Sequence, residues 1–213
     1  MLQPCETSLA TYPYPRLMEV PKLVGAELIP RKVAQYLLDL PLPGYTPADD
    51  NSLPRCRLMK YLYYDQENPL QQPLPTPEQK ISLLYDPEHA TAAPTDKGYR
   101  LFPQSYVAQS QLNAQTRIMV YMGRTVAASA QQVELSVIFD ILTNVTTEGN
   151  AMALSRTYAM EQCIIEAING VNMGGVGTFY FNRRAHGDCG SMPISDRGTN
   201  VGRGITMGLT WME

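Results

Sequence analysis

The strongest pattern along the chain is an alternation of apolar and polar positions over residues 132–144. The apolar positions on one side are Val133, Leu135, Val137, Phe139 and Ile141. The polar positions on the other side are Glu134, Ser136 and Asp140, and Ile138 is the exception to the alternation. Successive side chains of a β-strand point to opposite faces, so this pattern predicts a strand with one buried and one exposed face.

Three more strands are predicted around this one. Residues 116–122, 176–182 and 203–212 have strand-like patterns, and the strand over 116–122 is expected to run antiparallel to the strand over 132–143. The long segment 183–202 is interpreted as a loop.

A helix is predicted between the second and third strands. Apolar residues at helical spacing cover residues 150–171, with Arg156, Glu161 and Glu166 facing outward and Gly170 at the end. The order β-β-α-β-β predicts an α+β fold, in which a four-stranded, mainly antiparallel sheet carries one helix packed on a face. We expect the apolar side of the central strand to lie against this helix.

The first half of the chain has a different character, because 16 of the 17 prolines lie in residues 1–103. Proline fixes φ and removes a backbone donor, so this half is expected to consist of extended segments and turns. We therefore divide the chain into a proline-rich accessory region over residues 1–115 and an α+β core domain over residues 116–213.

Local elements are also predicted within the accessory region. Residues 1–25 are interpreted as an arm, and Pro30 is expected to open a short helix because proline suits the first helical position. Residues 56–64 and 81–85 are interpreted as strands, and residues 65–79 as a proline-rich connection.

The composition indicates that partners cover part of the surface, although a larger than usual core would also explain it. Charged residues are 17% of the chain, which contains 13 Tyr and 11 Met, and protein interfaces are enriched in aromatic residues and Met. The aromatic interface candidates are Tyr12, Tyr14, Tyr61, Tyr63, Phe102 and Tyr106. The basic residues Arg183, Arg184 and Arg197 are interpreted as a polar rim or an inter-subunit ion-pair zone.

No sequence pattern identifies a catalytic residue, a metal site or a cofactor, and none is expected. The closest candidate is His186-Gly187-Asp188-Cys189, because a cysteine beside a histidine can act as a nucleophile with its base. Adjacency in a loop does not supply triad geometry, and a zinc site needs four ligands. The cysteines Cys5, Cys56, Cys163 and Cys189 match no zinc or redox spacing, which predicts free, reduced thiols.

Charge and hydropathy argue against two kinds of partner. The net charge is −3 and no basic block occurs, so binding a nucleic-acid backbone is not expected to be the main task. No apolar run approaches the roughly 20 residues of a membrane span, and the N-terminus has no signal-peptide pattern. We expect a soluble intracellular product without a membrane partner.

Two segments carry a resemblance to a known family. The predicted strand that contains Gln132–Phe139, the helix and glycine turn after it, and the terminal strand Gly204–Glu213 resemble, in pattern and order, the tail-terminator proteins of long-tailed bacteriophages. Proteins of this kind form a ring, commonly a hexamer, that caps the tail tube and joins it to the head-side connector. The proline-rich first half is a departure from the smaller terminators, which leaves open another neck protein or a tail-tube-like component.

The resemblance implies a non-enzymatic structural protein of the virion, made in the cytoplasm of the host bacterium. Its partners would be further copies in a ring, expected to be hexameric, together with neck, connector and tail-tube proteins, and DNA in the lumen could be contacted passively. Glu134, Ser136 and Asp140 are then candidates to face the lumen or a neighbouring subunit. The alternative is a cellular α+β binding module or small enzyme that uses the 183–202 loop and Cys189.

Overall fold

The structure is a computed structural model that describes most of the chain. The described residues are 25–38, 48–66, 68–85, 98–105, 116–128, 132–148, 155–173, 177–182, 189–196 and 199–212. The predicted arm over residues 1–25 lies outside these ranges except for Gly25.

Five α-helices and seven strands are found in the described residues. The helices are α1 (Ile29–Leu37), α2 (Pro54–Tyr63), α3 (Pro77–Leu83), α4 (Val145–Glu148) and α5 (Arg156–Ile168). The strands are β1 (Leu101–Phe102), β2 (Thr116–Ala127), β3 (Gln132–Asn144), β4 (Asn172–Met173), β5 (Gly177–Tyr180), β6 (Gly190–Asp196) and β7 (Asn200–Met212). Short 3-10 turns occupy Ala26–Leu28 and Pro69–Gln71.

The strands form one mixed sheet in the order β1-β2-β3-β7-β5-β4, with β6 also paired to β7. The pair β1–β2 is parallel and the other pairs are antiparallel. The predicted α+β class and the antiparallel pairing of β2 with β3 are confirmed. The four-stranded layout is incomplete, because β1, β4 and β6 extend the sheet beyond the four predicted strands.

The apolar side of β3 forms the centre of the core, on what we call the inner face of the sheet. Each of its five predicted apolar residues is at most 2% exposed. They share one apolar cluster with Met160, Ile164 and Ile168 of α5, which confirms that the helix packs on this face. Gly170 ends the helix region with φ of 78°, a left-handed conformation that glycine adopts without steric cost.

Helix α1 confirms the short helix that Pro30 was expected to open. Ile29, Val33 and Leu37 are fully buried and belong to the same cluster as the inner face, with α1 lying against β2. Described residues on both sides of position 115 therefore share one core. The division of the chain into two regions at that position stays a prediction.

The strand predicted over residues 56–64 is wrong, because these residues form most of α2. Cys56, Met59 and Leu62 are fully buried and lie at helical spacing, but apolar residues between them hid the period. Short apolar runs do not distinguish a strand from a buried helix by periodicity alone. Pro54 at the start of α2 was the available signal for a helix N-terminus.

The strand predicted over residues 81–85 is also wrong, because Ile81 to Leu83 complete α3. Thr76 and Gln79 form a capping box at its start: Gln79 N donates to Thr76 Oγ1 at 3.3 Å and Thr76 N donates to Gln79 Oε1 at 2.9 Å. Thr76 and Gln79 at this spacing, with Pro77 directly after Thr76, are a helix-start signal that can be recognised in the sequence. Only Leu84 pairs as a strand residue, in a bridge with Leu101.

The loop predicted over residues 183–202 contains a strand. Residues 190–196 form β6, which pairs with β7 from Thr206 down to Asn200, so β7 also begins earlier than predicted. Pro193 lies within β6. Proline is tolerated in edge strands because one side of such a strand has no ladder to complete.

Two residues of α5 that were predicted to face outward are buried. Arg156 is 0% exposed and Glu161 is 4% exposed, whereas Glu166 is exposed and pairs with Arg57 of α2. The prediction assumed that one side of α5 faces solvent. Instead α5 lies against both the sheet and α2, so its polar residues are enclosed between elements.

Buried polar contacts fix the end of α2. The guanidinium of Arg156 donates to the carbonyl oxygens of Tyr61 at 2.7 Å, Tyr64 at 2.6 Å and Gln66 at 3.0 Å. Burial lowers the pKa of Arg156, against the attraction of Asp65. The last carbonyls of a helix lack intrahelical donors, so Arg156 supplies donors that α2 cannot provide itself.

A second arginine ties the same region to the sheet. Arg100 makes two hydrogen bonds to the carboxylate of Asp65, at 2.7 and 2.6 Å, and one to the carbonyl oxygen of Leu62 at 2.8 Å. Thr116 of β2 donates to the same carboxylate at 3.3 Å. Bidentate arginine–carboxylate pairs are geometrically specific, and this pair sets the position of α2 relative to β2.

Candidate assembly surface

The outer face of the sheet, opposite α5, carries two exposed large side chains with apolar surface. Tyr180 is 38% exposed and Met192 is 64% exposed. Ile138 and Ile194 are partly exposed on the same face. We call the set Tyr121, Ile138, Asp140, Tyr180, Met192 and Ile194 the outer patch.

Strand β7 forms the floor of the outer patch. Its residues on this face include Gly202, Gly204 and Gly208, which pair with β3 residues Leu142, Asp140 and Ser136. A Cβ at Gly204 would lie 3.2 Å from Asp140 Oδ1 and 3.4 Å from Ile194 Cγ2. The absence of a side chain at Gly204 therefore lets the carboxylate on β3 and the apolar side chains on β6 come close together over β7.

One polar pair lies within the outer patch. Tyr121 Oη donates to Asp140 Oδ2 at 2.8 Å, and Asp140 Oδ1 is the oxygen nearest to Gly204. Partial burial raises the pKa of Asp140, although the hydrogen bond from Tyr121 opposes this effect. Burial and the bond to Asp140 raise the pKa of Tyr121 to about 12. A half-buried carboxylate on an apolar surface is suited to a cationic partner group.

Near β1, aromatic side chains of the same chain cover the outer face of the sheet. Tyr85, Tyr99 and Phe102 form a small aromatic cluster that packs on Met119 of β2. Tyr85 and Tyr99 meet edge to face with ring centroids 5.4 Å apart. Phe102 was predicted to lie at an interface, but it is 0% exposed and belongs to this internal cluster.

The two long edges of the sheet are not regular ladders. The register of β2 shifts between Met122 and Thr125, where Arg124 N donates to Ser136 Oγ at 2.6 Å. Pro193 lies in β6, which pairs with β7 on one side. Bulges and prolines on edge strands protect a sheet from pairing with another chain, so the face of the sheet offers more surface for association than its edges.

The predicted lumen residues occupy different environments on this outer face. Ser136 is 6% exposed because it fills the bulge of β2, so it is internal. Glu134 and Asp140 are partly exposed. Asp140 alone of the three belongs to the outer patch, while Glu134 lies opposite Thr210 nearer the end of β3.

The other predicted interface residues are not brought together. Tyr61 and Tyr63 are partly buried against the main core from α2, and burial raises the pKa of Tyr61. The candidates that lie outside the described residues are Tyr12, Tyr14, Tyr106, Arg183, Arg184 and Arg197. Sequence reasoning missed Met192, Ile194 and Tyr180, since the first two lay in a predicted loop.

Three of the four cysteines lie in the described residues. Cys56, Cys163 and Cys189 are buried and are not in a disulfide, and Cys5 lies outside the described residues. Cys189 Sγ donates to the carbonyl oxygen of Tyr180 at 3.4 Å. His186 and Asp188 also lie outside the described residues, so the candidate loop pair stays a prediction.

The described ranges contain neither a cluster of metal ligands nor a membrane-spanning helix. No group of three or more His, Cys, Asp or Glu side chains in them is placed to hold a metal ion. No helix in the same part of the chain is long and apolar enough to cross a membrane.

Comparison with known proteins gives a match to a family model. The family model YomW matches residues 56–192, which is more than half of the chain. The chain belongs to the YomW family. This family is named after a gene of a Bacillus phage region. No curated protein and no solved structure matches the chain. The matched range begins in α2 and ends in β6, so it includes parts of both predicted regions.

Proposed function

We propose that this YomW-family protein is a non-enzymatic structural protein of a tailed bacteriophage particle. In this proposal it forms a ring in the neck or at the top of the tail, as a tail-terminator type of protein that joins the tail tube to the head connector. The family match over residues 56–192 carries the phage part of the proposal. Association with other copies is supported by the exposed outer patch.

The physical argument for assembly concerns the outer face. Met192 is 64% exposed beside further apolar side chains. When a partner covers this surface the free energy falls, because apolar area leaves water. The charged fraction of 17% is low for a freely solvated chain of this length. Permanent subunit contacts in a particle are the surroundings in which such a surface is stable.

The experiment is to locate the chain in particles released from cells that carry its gene. Purified particles are analysed by quantitative mass spectrometry, and electron microscopy with an antibody fragment against the chain locates it. We expect a fixed low copy number that fits one ring, with label at the neck or tail top. Absence from particles, in cells that make both the chain and the particles, would contradict the proposal.

The same images separate the tail-tube-like alternative. A tube component is present in many copies and labels the length of the tail, whereas a ring at the tail top labels one point. The second alternative, a binding module or small enzyme that uses the 183–202 loop, predicts a chain that is absent from particles and whose activity is lost in Cys189→Ala.

A further inference from the structure

Helix α1 carries an exposed surface on the side of the molecule away from the outer patch. The α1 ridge consists of Leu28, the N-cap residue just before α1, and of Lys32 and Gln35 within it. Leu28 is 45% exposed, and the other two are exposed. Residues three or four positions apart share one side of a helix. The opposite side of α1 is buried in the core below the inner face. The ridge therefore presents an apolar side chain and an ammonium group one turn apart, facing away from the sheet.

The outer patch has the complementary chemistry. The carboxylate of Asp140 on β3 and the apolar side chain of Met192 on β6 stand on either side of Gly204 on β7. Two strand spacings separate them by about 10 Å. A leucine and a lysine one helical turn apart are about 6 Å apart at their Cβ atoms. The lysine side chain is long enough to span the rest of the distance between Met192 and Asp140.

The surroundings of the patch favour a helix as the docking element. The bulge in β2 and Pro193 in β6 interrupt the two edges where another strand would add. The side chains of Asp140, Met192 and Ile194 converge over Gly204, which is buried, so they form a continuous surface with a carboxylate beside apolar groups. A helix can lie across such a side-chain surface and use side-chain contacts, without any backbone ladder.

We propose that the outer patch binds the α1 ridge of a second copy of this chain, with Lys32 of one subunit against Asp140 of the next. The two surfaces differ and lie on opposite sides of the subunit, so the contact is heterologous and repeats from subunit to subunit. This inference rests on the proposed ring and identifies the surfaces that build it. Leu28 packs against Met192 and Ile194 in the same contact.

The first experiment compares the full-length wild-type chain with three variants by sedimentation velocity over a concentration series at low salt. Lys32→Glu alters the ridge, Met192→Glu alters the patch, and Ile81→Glu is the matched control at a side chain that is 56% exposed on α3, outside both surfaces. We expect Lys32→Glu and Met192→Glu each to weaken association at least about tenfold. The control should associate like wild type, and circular dichroism verifies that all four chains are folded.

The second experiment mixes the two impaired variants. A heterologous contact predicts a dimer of one Lys32→Glu chain with one Met192→Glu chain, because each supplies the surface that the other lacks, and no larger species. A symmetric contact through the outer patch alone predicts instead that Lys32→Glu associates normally and that mixing restores nothing.

The inference is overturned if the wild-type chain does not self-associate, if Lys32→Glu associates like wild type, or if the mixture stays monomeric. Its failure is distinguishable from failure of the proposed function, which is decided by the presence of the chain in particles. A chain that is present in particles but associates normally as Lys32→Glu refutes this contact alone.

Discussion

The replacement Arg156→Met gives the sharpest test of how this fold is stabilised. Arg156 is fully buried and donates to three carbonyl oxygens at the end of α2, from Tyr61, Tyr64 and Gln66. Methionine has a similar length and fills much of the same space, but it donates no hydrogen bond. The substitution therefore removes the donors while leaving most of the packing.

The expected loss is large relative to the stability of a domain. A hydrogen bond from a charged donor contributes about 1.5–3 kcal/mol, so three bonds give a gross loss of about 4.5–9 kcal/mol. Gln66 is exposed and Tyr61 and Tyr64 are partly buried, so water replaces part of what is lost. Removing a guanidinium that burial already disfavours offsets part of this loss. We expect a net decrease of about 3–5 kcal/mol in the free energy of unfolding, the range for breaking a buried charged interaction.

The assay is urea unfolding at neutral pH, followed by circular dichroism at one protein concentration so that association contributes equally. The matched control is Arg55→Met, since Arg55 lies on α2 itself, partly exposed, and donates to the carbonyl oxygen of Tyr36 at 3.3 Å. The free energy of unfolding of Arg55→Met should be lower than that of wild type by about 1 kcal/mol or less. A loss below about 1 kcal/mol for Arg156→Met would refute the account of how α2 is held.

Three further predictions concern single sites in the sheet and in α5. Gly202→Ala should lower the free energy of unfolding by about 1–3 kcal/mol, because its methyl group would overlap the carbonyl oxygen of Ile141, whereas Gly98→Ala meets nothing within 4 Å and should be neutral. Burial raises the pKa of Asp140 in the folded chain, so wild type should gain stability relative to Asp140→Asn as the pH falls from 7 through this raised pKa. Burial raises the pKa of Cys163 to about 12, so iodoacetamide at pH 8 should label it slowly in the native protein and rapidly in urea.

Each of these predictions has a clear contrary result. Equal melting temperatures for Gly202→Ala and Gly98→Ala would show that β7 and β3 do not approach closely at Ile141. The sign for Asp140 follows from proton binding: the folded chain binds more protons than the unfolded chain between the two pKa values, so stability falls as the pH rises through that window. If the stability difference between wild type and Asp140→Asn did not change with pH, the partly buried environment of Asp140 would be contradicted. Rapid labelling of Cys163 in the native protein would contradict its burial.

Much of the sheet was predictable because its pattern is local. Five apolar residues at every second position of β3 need one covered face, and any fold that buries them places Glu134 and Asp140 on the other side. The pairing of β2 with β3 follows from their adjacency in sequence. The candidate site was predicted less well. Asp140 was singled out, but Met192 and Ile194 were missed because they lie in the segment that was interpreted as a loop.

The sequence alone determined the central strand, the helix behind it and the antiparallel hairpin, because alternation and helical spacing depend only on neighbours along the chain. The tertiary structure decided that residues 56–63 are helical, that Arg156 is internal and that β6 extends the sheet. These outcomes depend on what packs against each segment: α2 is apolar on several sides, and it is a helix here because α5 lies against it and Arg156 supplies donors for its last carbonyls. The sequence holds the helical spacing of Cys56, Met59 and Leu62 and the helix-start signal of Pro54, but the apolar residues between them leave the period ambiguous until the packing partners are known.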